Sequence, residues 1–295
     1  MKVLVLGATG YIGAAVVELL EADGHEIVRL VRDATALPPG AAVAVGDLTD
    51  PASLRAAVTD GIDAVVNVAA PTGDEALDTA AVDALLEPLR GTGRAYVHTS
   101  GVWVLGATGD EAVDEDATTR PIPIVAHRRR IERRVLAAAG EDVRAVVLRP
   151  GIVYGRGGGI PGRMTRWAEE SDTGRYVGTA AVRWPMVHVD NLAELYLLAL
   201  AKAEEGTVLH GIAHEAVPVA ALAAAADLAA GGTGRAEPWP FADAAETLGA
   251  PFAEALALNQ VVTGHRAVAE LGWRPRRAHP LTDLTDLSDR STGRP

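Results

Sequence analysis

The chain has no cysteine among its 295 residues. That absence excludes disulfides, thiolate nucleophiles and Cys-ligated zinc or iron–sulfur centres. No apolar run approaches the roughly 18 uncharged residues of a membrane helix, so no span is expected. The first ten residues pass straight into a strand pattern, without the apolar core and cleavage site of a signal peptide. A cytoplasmic protein is therefore expected. Lysine is nearly missing: of 27 basic residues, only Lys2 and Lys202 are lysine and the rest are arginine. Any mechanism that needs an amine must use one of those two. Positive charge is also in deficit, with a net charge of −12. That argues against nucleic acid or an anionic membrane as partner. What is plentiful is apolar surface: 48% hydrophobic residues against 22% charged give a folded chain with a sizeable core.

The first half alternates short apolar runs with amphipathic stretches. Strands are expected at residues 3–6, 26–31, 42–45, 64–68, 95–98 and 144–148, and helices at 12–22, 51–59, 75–89 and 124–139. Unbroken apolar runs such as Val-Leu-Val-Leu at 3–6 mark strands buried on both faces. Such β-α-β alternation predicts an α/β fold, a Rossmann-type doubly wound parallel sheet, with a smaller C-terminal substrate-binding region. Residues 1–155 read as the nucleotide-binding core. Residues 156–280 complete the sheet and form the substrate region, and 281–295 read as a frayed polar tail. Within the second part, 155–162 reads as a glycine-rich loop, 191–203, 217–230 and 256–271 as helices, and 238–240 as a turn.

The strongest local signal is Gly7-Ala8-Thr9-Gly10-Tyr11-Ile12-Gly13. It follows a buried strand and opens a helix, the context in which a glycine motif carries meaning. Gly7 permits the tight turn, Gly10 lets backbone approach a pyrophosphate, and Gly13 lets the helix sit against the sheet. The helix N-terminus then offers N–H donors and its positive dipole end.

The Gly-x-x-Gly-x-x-Gly spacing resembles the short-chain dehydrogenase/reductase superfamily, in its extended and atypical epimerase/dehydratase-like branch. Further matches run from residue 1 to about 278. Asp47-Leu48 resembles the adenine-contacting pair, and Asn67-Val68-Ala69-Ala70 the loop along the cofactor. Leu148-Arg149-Pro150-Gly151-Ile152-Val153-Tyr154-Gly155 resembles the segment beside the nicotinamide. Val187-His188-Val189-Asp190 and Leu271-Gly272-Trp273-Arg274-Pro275 resemble C-terminal landmarks. The resemblance implies a nicotinamide cofactor held by Gly7, Thr9, Gly10, Tyr11, Ile12, Gly13, Arg32, Asp47, Leu48, Val68, Ala69, Ala70, Thr99, Arg128, Pro150, Gly151, Ile152 and Val153. An acid at the end of the second strand would select NAD(H) and an arginine NADP(H). By the family's pattern the acid position is Val31 and Arg32 follows it, so NADP(H) is expected over NAD(H). Arg29 is a secondary candidate.

The resemblance also implies a Tyr-x-x-x-Lys pair, which the sequence lacks. The tyrosines are Tyr11, Tyr96, Tyr154, Tyr176 and Tyr196, and none has lysine four residues on. Aligned on Glu132, Ile124 stands at the tyrosine position and Arg128 at the lysine position. Arg128 can hold ribose hydroxyls and supply a positive field, but a guanidinium does not shuttle protons. Ser100, in His98-Thr99-Ser100-Gly101, matches the substrate-orienting hydroxyl. The proton donor is left among Ser100, His127, Tyr154 and water. Substrate contacts are expected from Ser100, Trp103, Arg166, Trp167, Arg183 and Trp184, which suits a small aromatic or apolar molecule with an acidic group. Metal binding is not expected: His210 and His214 have helical spacing, yet Gly211 lies between them. The resemblance also implies that the helix at 75–89 and the arginine-rich one after His127 form a homodimer seam, where Glu75, Asp78, Asp83 and Glu87 would match the arginines in charge. The implied activity is an NADP(H)-dependent oxidoreductase on a carbonyl, alcohol or conjugated double bond. A redox-neutral cyclase, dehydratase or epimerase, or a catalytically decayed cofactor sensor, is the alternative.

Overall fold

The computed structural model describes residues 1–37 and 40–286. The first half runs β1 (Lys2–Leu6), α1 (Tyr11–Ala22), β2 (Glu26–Val31), β3 (Val43–Val45), α2 (Pro51–Ala57), β4 (Ala64–Asn67), α3 (Glu75–Leu86), β5 (Ala95–Thr99), α4 (Arg128–Ala137) and β6 (Arg144–Pro150). The second runs β7 (Ile152–Tyr154), α5 (Gly159–Ser171), β8 (Gly174–Val177), β9 (Arg183–His188), α6 (Val189–Lys202), β10 (Thr207–Gly211), β11 (His214–Pro218), α7 (Val219–Ala229), β12 (Ala236–Trp239), α8 (Phe241–Leu248), α9 (Ala250–Leu256), α10 (His265–Leu271) and α11 (Pro280–Thr285).

The main sheet has seven strands in the order β10-β6-β5-β4-β1-β2-β3, paired in parallel throughout. Because strand side chains alternate between faces, Val3 and Val5 of β1 pack with α1 and α6, while Leu4 and Leu6 pack with α2, α3 and α4. Both faces are covered, which is why β1 is apolar from Val3 to Leu6. A second core of Tyr154, Met164, Trp184, Met186 and Trp239 gathers the small sheets β11-β9-β7 and β12-β8 with α5, α7, α8 and α9. Among the described residues no helix is long and apolar enough to cross a membrane.

Several expected boundaries move. The helix expected at 256–271 is reduced to α10, since α9 ends at Leu256. Between them the buried Gln260 amide donates to the carbonyls of Val102 and Gly106, both at 2.8 Å, and holds the chain extended. The turn expected at 238–240 is the end of strand β12, parallel to β8. Regular helix begins only at Arg128, after a 3-10 turn at Pro123–Val125. The glycine-rich stretch already becomes α5 at Gly159. The expected frayed tail starts too early: α11 is a helix with Leu284 buried, and residues 287–295 lie outside the described residues.

Candidate active site

The turn after β1 is built by contacts that leave no room for side chains. Gly7 has φ +74°, and a Cβ there would lie 2.7 Å from the Ala69 backbone. The Gly10 amide donates to the Gly7 carbonyl at 2.9 Å. A Cβ on Gly13 would stand 2.0 Å from that same carbonyl oxygen, so only glycine lets α1 start so close to β1. Gly10 caps α1 with no side-chain hydrogen bond, leaving the first-turn N–H groups open to a ligand.

Gly7 and Gly10 border a groove of about 730 Å³ that also brings together Thr9, Arg32, Asp47, Leu48, Ala69 and Ala70. Thr49 donates its amide and hydroxyl to one Asp47 oxygen, at 2.8 and 2.7 Å. Those bonds, with the Arg32 charge nearby, hold the Asp47 carboxyl below its usual range. Arg32 is exposed and makes no hydrogen bond or ion pair among the described residues. Asp33 also borders the groove, but its Oδ1 accepts from the Thr35 amide and hydroxyl. Arg29 points away, to Glu21 at 2.6 Å. Val68 packs toward the core rather than the groove, and Gly13 supports the turn from behind.

At the ends of β5 and β6 lies a smaller pocket of about 230 Å³. It is lined by Tyr11, Ile12, Thr99, Ser100, Trp103, Arg128, Pro150, Gly151, Ile152 and Val153, among others. Most expected nicotinamide-end residues therefore converge there. Two of its polar side chains are already engaged: the Tyr11 hydroxyl donates to the Gly155 carbonyl at 2.8 Å, and Thr99 Oγ1 meets the Tyr196 hydroxyl at 2.5 Å. Ser100 is different. It is only 6% exposed and its Oγ has no hydrogen-bond partner among the described residues. Arg128 Nη1 donates to the Ser100 carbonyl at 3.1 Å. Burial lowers the Arg128 pKa, opposed by the charges of Glu132 and Asp78. One turn along α4, Glu132 forms a bidentate pair with Arg149 at 2.9 and 2.7 Å. Both are buried, so the pair pins α4 to β6 and holds Arg128 against β5.

The geometry corrects several expected roles. Tyr154 is fully buried; its hydroxyl donates to the Ala278 carbonyl at 2.6 Å and lies 3.2 Å from His214 Nε2. Burial raises its pKa, and it does not border the pocket. His127 precedes Arg128 at the helix start, so the two side chains diverge by about 100°. Its Nε2 sits 3.1 Å from Asp78 Oδ2, beside a neighbouring cavity of about 40 Å³ lined by His98 and by Thr99 and Arg128 of the larger pocket. Ile124, at the expected tyrosine position, is 37% exposed and lies outside the pocket.

On the substrate side only Trp103 and Ser100 border the pocket. Arg166 is on the exposed face of α5. Arg183 is held by Asp110 and by Asn259 Oδ1. Trp184 is a core residue at 3% exposure, and Trp167 packs edge-on to Trp239 at 5.6 Å. The four acids expected to mark a dimer seam are matched within the chain: Glu75 to Arg130, Asp78 to His127, Asp83 to Arg134 and Glu87 to Arg55. Charge matching thus gives no reason for a second copy. His188 caps α6, accepting from the Asp190 amide at 3.1 Å; His210 and His214 are on separate strands. Sequence reasoning missed Arg163 and Phe252. Arg163 shares a helix face with pocket-lining Ile160, a spacing visible only once α5 is known to begin inside the glycine-rich stretch.

Comparison with known proteins bears on the family and the fold. The model of the NAD dependent epimerase/dehydratase family matches residues 3–210. The chain is 29% identical to a 3-diazoavenalumate denitrifying reductase of a Streptomyces species, over 95% of this chain and 97% of that one. The human epimerase family protein SDR39U1 (isoform 2), crystallised with NADPH, superposes with a TM-score of 0.76 at 26% identity, covering 97% and 98% of the two chains. A Thermus thermophilus UDP-glucose 4-epimerase in complex with NAD shares the fold, with a TM-score of 0.80 at 23% identity, covering 99% and 100%.

Proposed function

Because the chain belongs to the NAD dependent epimerase/dehydratase family, we propose that it is an NADP(H)-dependent oxidoreductase acting on a carbonyl, alcohol or conjugated double bond of a small organic molecule. The observation that carries the reading is Ser100, a buried hydroxyl without a partner at the wall of a mostly apolar pocket. Buried polar groups are ordinarily satisfied, so an orphan of this kind marks a place for a ligand atom.

The residues present fit a dinucleotide. Gly7 and Gly13 leave the turn free of side chains, and α1 has no side-chain cap. Bound there, a nicotinamide dinucleotide supplies hydride to the substrate or accepts it. Gly10 and the α1 N-terminus hold the pyrophosphate. Asp47 and Leu48 border the adenine end, and Ile152 and Val153 border the reacting end. Arg32 has its donors unspent and suits a 2′-phosphate. The NADPH bound to SDR39U1 supports this choice, and the NAD of the bacterial epimerase shows that the fold accommodates either. At the reacting end Ser100 donates a hydrogen bond to the substrate oxygen. Arg128 sets a positive charge beside it and stabilises negative charge as it develops. Arg128 keeps its proton, and Tyr154 and His127 do not reach the pocket. The proton that completes reduction therefore comes from water, relayed through the Ser100 hydroxyl. The reductase activity named for the Streptomyces relative supports reduction as the direction.

The test is NADPH consumption with a panel of ketones, enones and imines. Ser100→Ala should lower kcat about 100-fold while NADPH affinity stays unchanged. The missing Tyr-x-x-x-Lys pair favours a second reading, a redox-neutral enzyme or a cofactor-binding protein. NADPH bound but never consumed across the panel would select that reading instead.

A further inference from the structure

Arg163 is held by aromatic rings rather than by an acid. Its guanidinium lies over the Trp167 ring at 5.2 Å and over the Phe252 ring at 4.8 Å. It is half-buried, yet it forms no hydrogen bond or ion pair among the described residues. The chain carries 39 acidic residues, and four of its other buried or half-buried arginines pair with one, whereas half-buried Arg175, over the Trp239 ring at 5.5 Å, is also held by a ring with no hydrogen bond or ion pair among the described residues. Arg29 pairs with Glu21, Arg149 with Glu132, Arg183 with Asp110 and Arg266 with Asp116. Two aromatic rings hold the Arg163 cation, and its N–H donors remain unspent.

Its place in the fold says what those donors serve. Ile160, one turn earlier on the same face of α5, lines the reaction pocket. Trp103 lines the pocket from the other side and meets Phe252 edge-on at 6.4 Å. A chain of ring contacts thus runs from Trp103, in the pocket lining, through Phe252 to Arg163, which stands behind that lining rather than in it. Resting on the oxidoreductase reading above, we infer that Arg163 is the anion-binding residue of the substrate cleft. The substrate is then a small organic acid with an apolar, ring-bearing body. Its reacting carbon lies at Ser100 and Arg128, its body along Trp103, and its carboxylate at Arg163, which can grip both oxygens. Arg166 and Arg183, the acid-binding candidates of the sequence, do not share those contacts.

The probes are 3-phenylpropionate and its uncharged isostere 3-phenylpropionamide, titrated calorimetrically into the NADPH-loaded protein. The acid should bind at least about tenfold tighter than the amide, as expected for a charge-assisted hydrogen bond. Arg163→Met, which keeps the stem over the rings, should erase that preference while amide binding persists. Arg166→Met, on the exposed face of α5, should leave it intact. Equal affinity for acid and amide, or a preference that survives Arg163→Met, overturns the inference. The two readings fail separately. A clear acid preference with no NADPH consumption overturns the oxidoreductase reading alone, whereas NADPH consumption without an acid preference overturns the role of Arg163 alone.

Discussion

The two ends of the cleft are made in opposite ways. The dinucleotide groove is made of backbone: Gly7, Gly10 and Gly13 bring β1 and α1 so close that no Cβ fits at Gly7 or Gly13, and its charged residues, Arg32 and Asp47, stand toward solvent. The reacting end is made of buried polar side chains from distant segments. Glu132 of α4 grips Arg149 of β6, and His210 of β10 stands opposite Arg149 in the strand register. The difference teaches where each end is fragile. A change in the groove should show first in nucleotide binding, and a change behind the reacting end should show in folding.

Glu132→Ala gives the largest contrast. It leaves the Arg149 charge buried and unpaired, which costs about 3–5 kcal/mol. Urea unfolding should show that loss, and a loss below about 1 kcal/mol would mean that the pair does not anchor the reacting end. His210 tests the same layer through pH. Burial, reinforced by the Arg149 charge, lowers its pKa from 6.5 to about 4. Its neutral form therefore stabilises the fold above the unfolded pKa of 6.5, and that contribution is lost as pH falls toward 4. At about 1.4 kcal/mol per pH unit, the loss approaches roughly 3 kcal/mol. The stability gap between wild type and His210→Gln should narrow by that amount over the range; a gap independent of pH would refute the assignment.

The groove variants are expected to cost less. Gly13→Ala drives a methyl group into the Gly7 carbonyl, an overpacking cost of about 1–3 kcal/mol, and should abolish NADPH binding while the fold survives. Retained NADPH affinity would break the comparison, since the groove would then tolerate a side chain. Arg32→Ala should be the mildest, with no measurable change in unfolding midpoint. It should still weaken NADPH relative to NADH by about tenfold, the worth of a charge-assisted contact. An unchanged ratio removes Arg32 from cofactor choice.

The groove was legible in the sequence because its parts are local. A glycine turn, the strand before it and the helix after it lie within residues 2–22, and the physics that demands glycine acts across a few residues. Arg128 and Ser100 were legible for a related reason, since each follows from position relative to a strand end or a helix. Tyr154 and His127 were not. Both are chemically competent in isolation, and what removes them is a partner far along the chain: Ala278 for the tyrosine, Asp78 for the histidine. Arg163 went unnoticed for the converse reason. Its significance lies in the carboxylate it does not meet and in Phe252, which reaches it from α9.

By itself the sequence determined the parallel α/β sheet, the glycine turn after β1 and the absence of a Tyr-x-x-x-Lys pair, because periodicity, glycine spacing and residue identity are properties of short stretches. Only the tertiary structure decided which polar side chains face the pocket. A hydroxyl, imidazole or guanidinium is available for chemistry only if no distant group has already satisfied it. Packing engages Tyr154 and Arg183 and sets His127 beside Asp78, whereas among the described residues it leaves the Ser100 hydroxyl without a hydrogen bond and Arg163 without an acid.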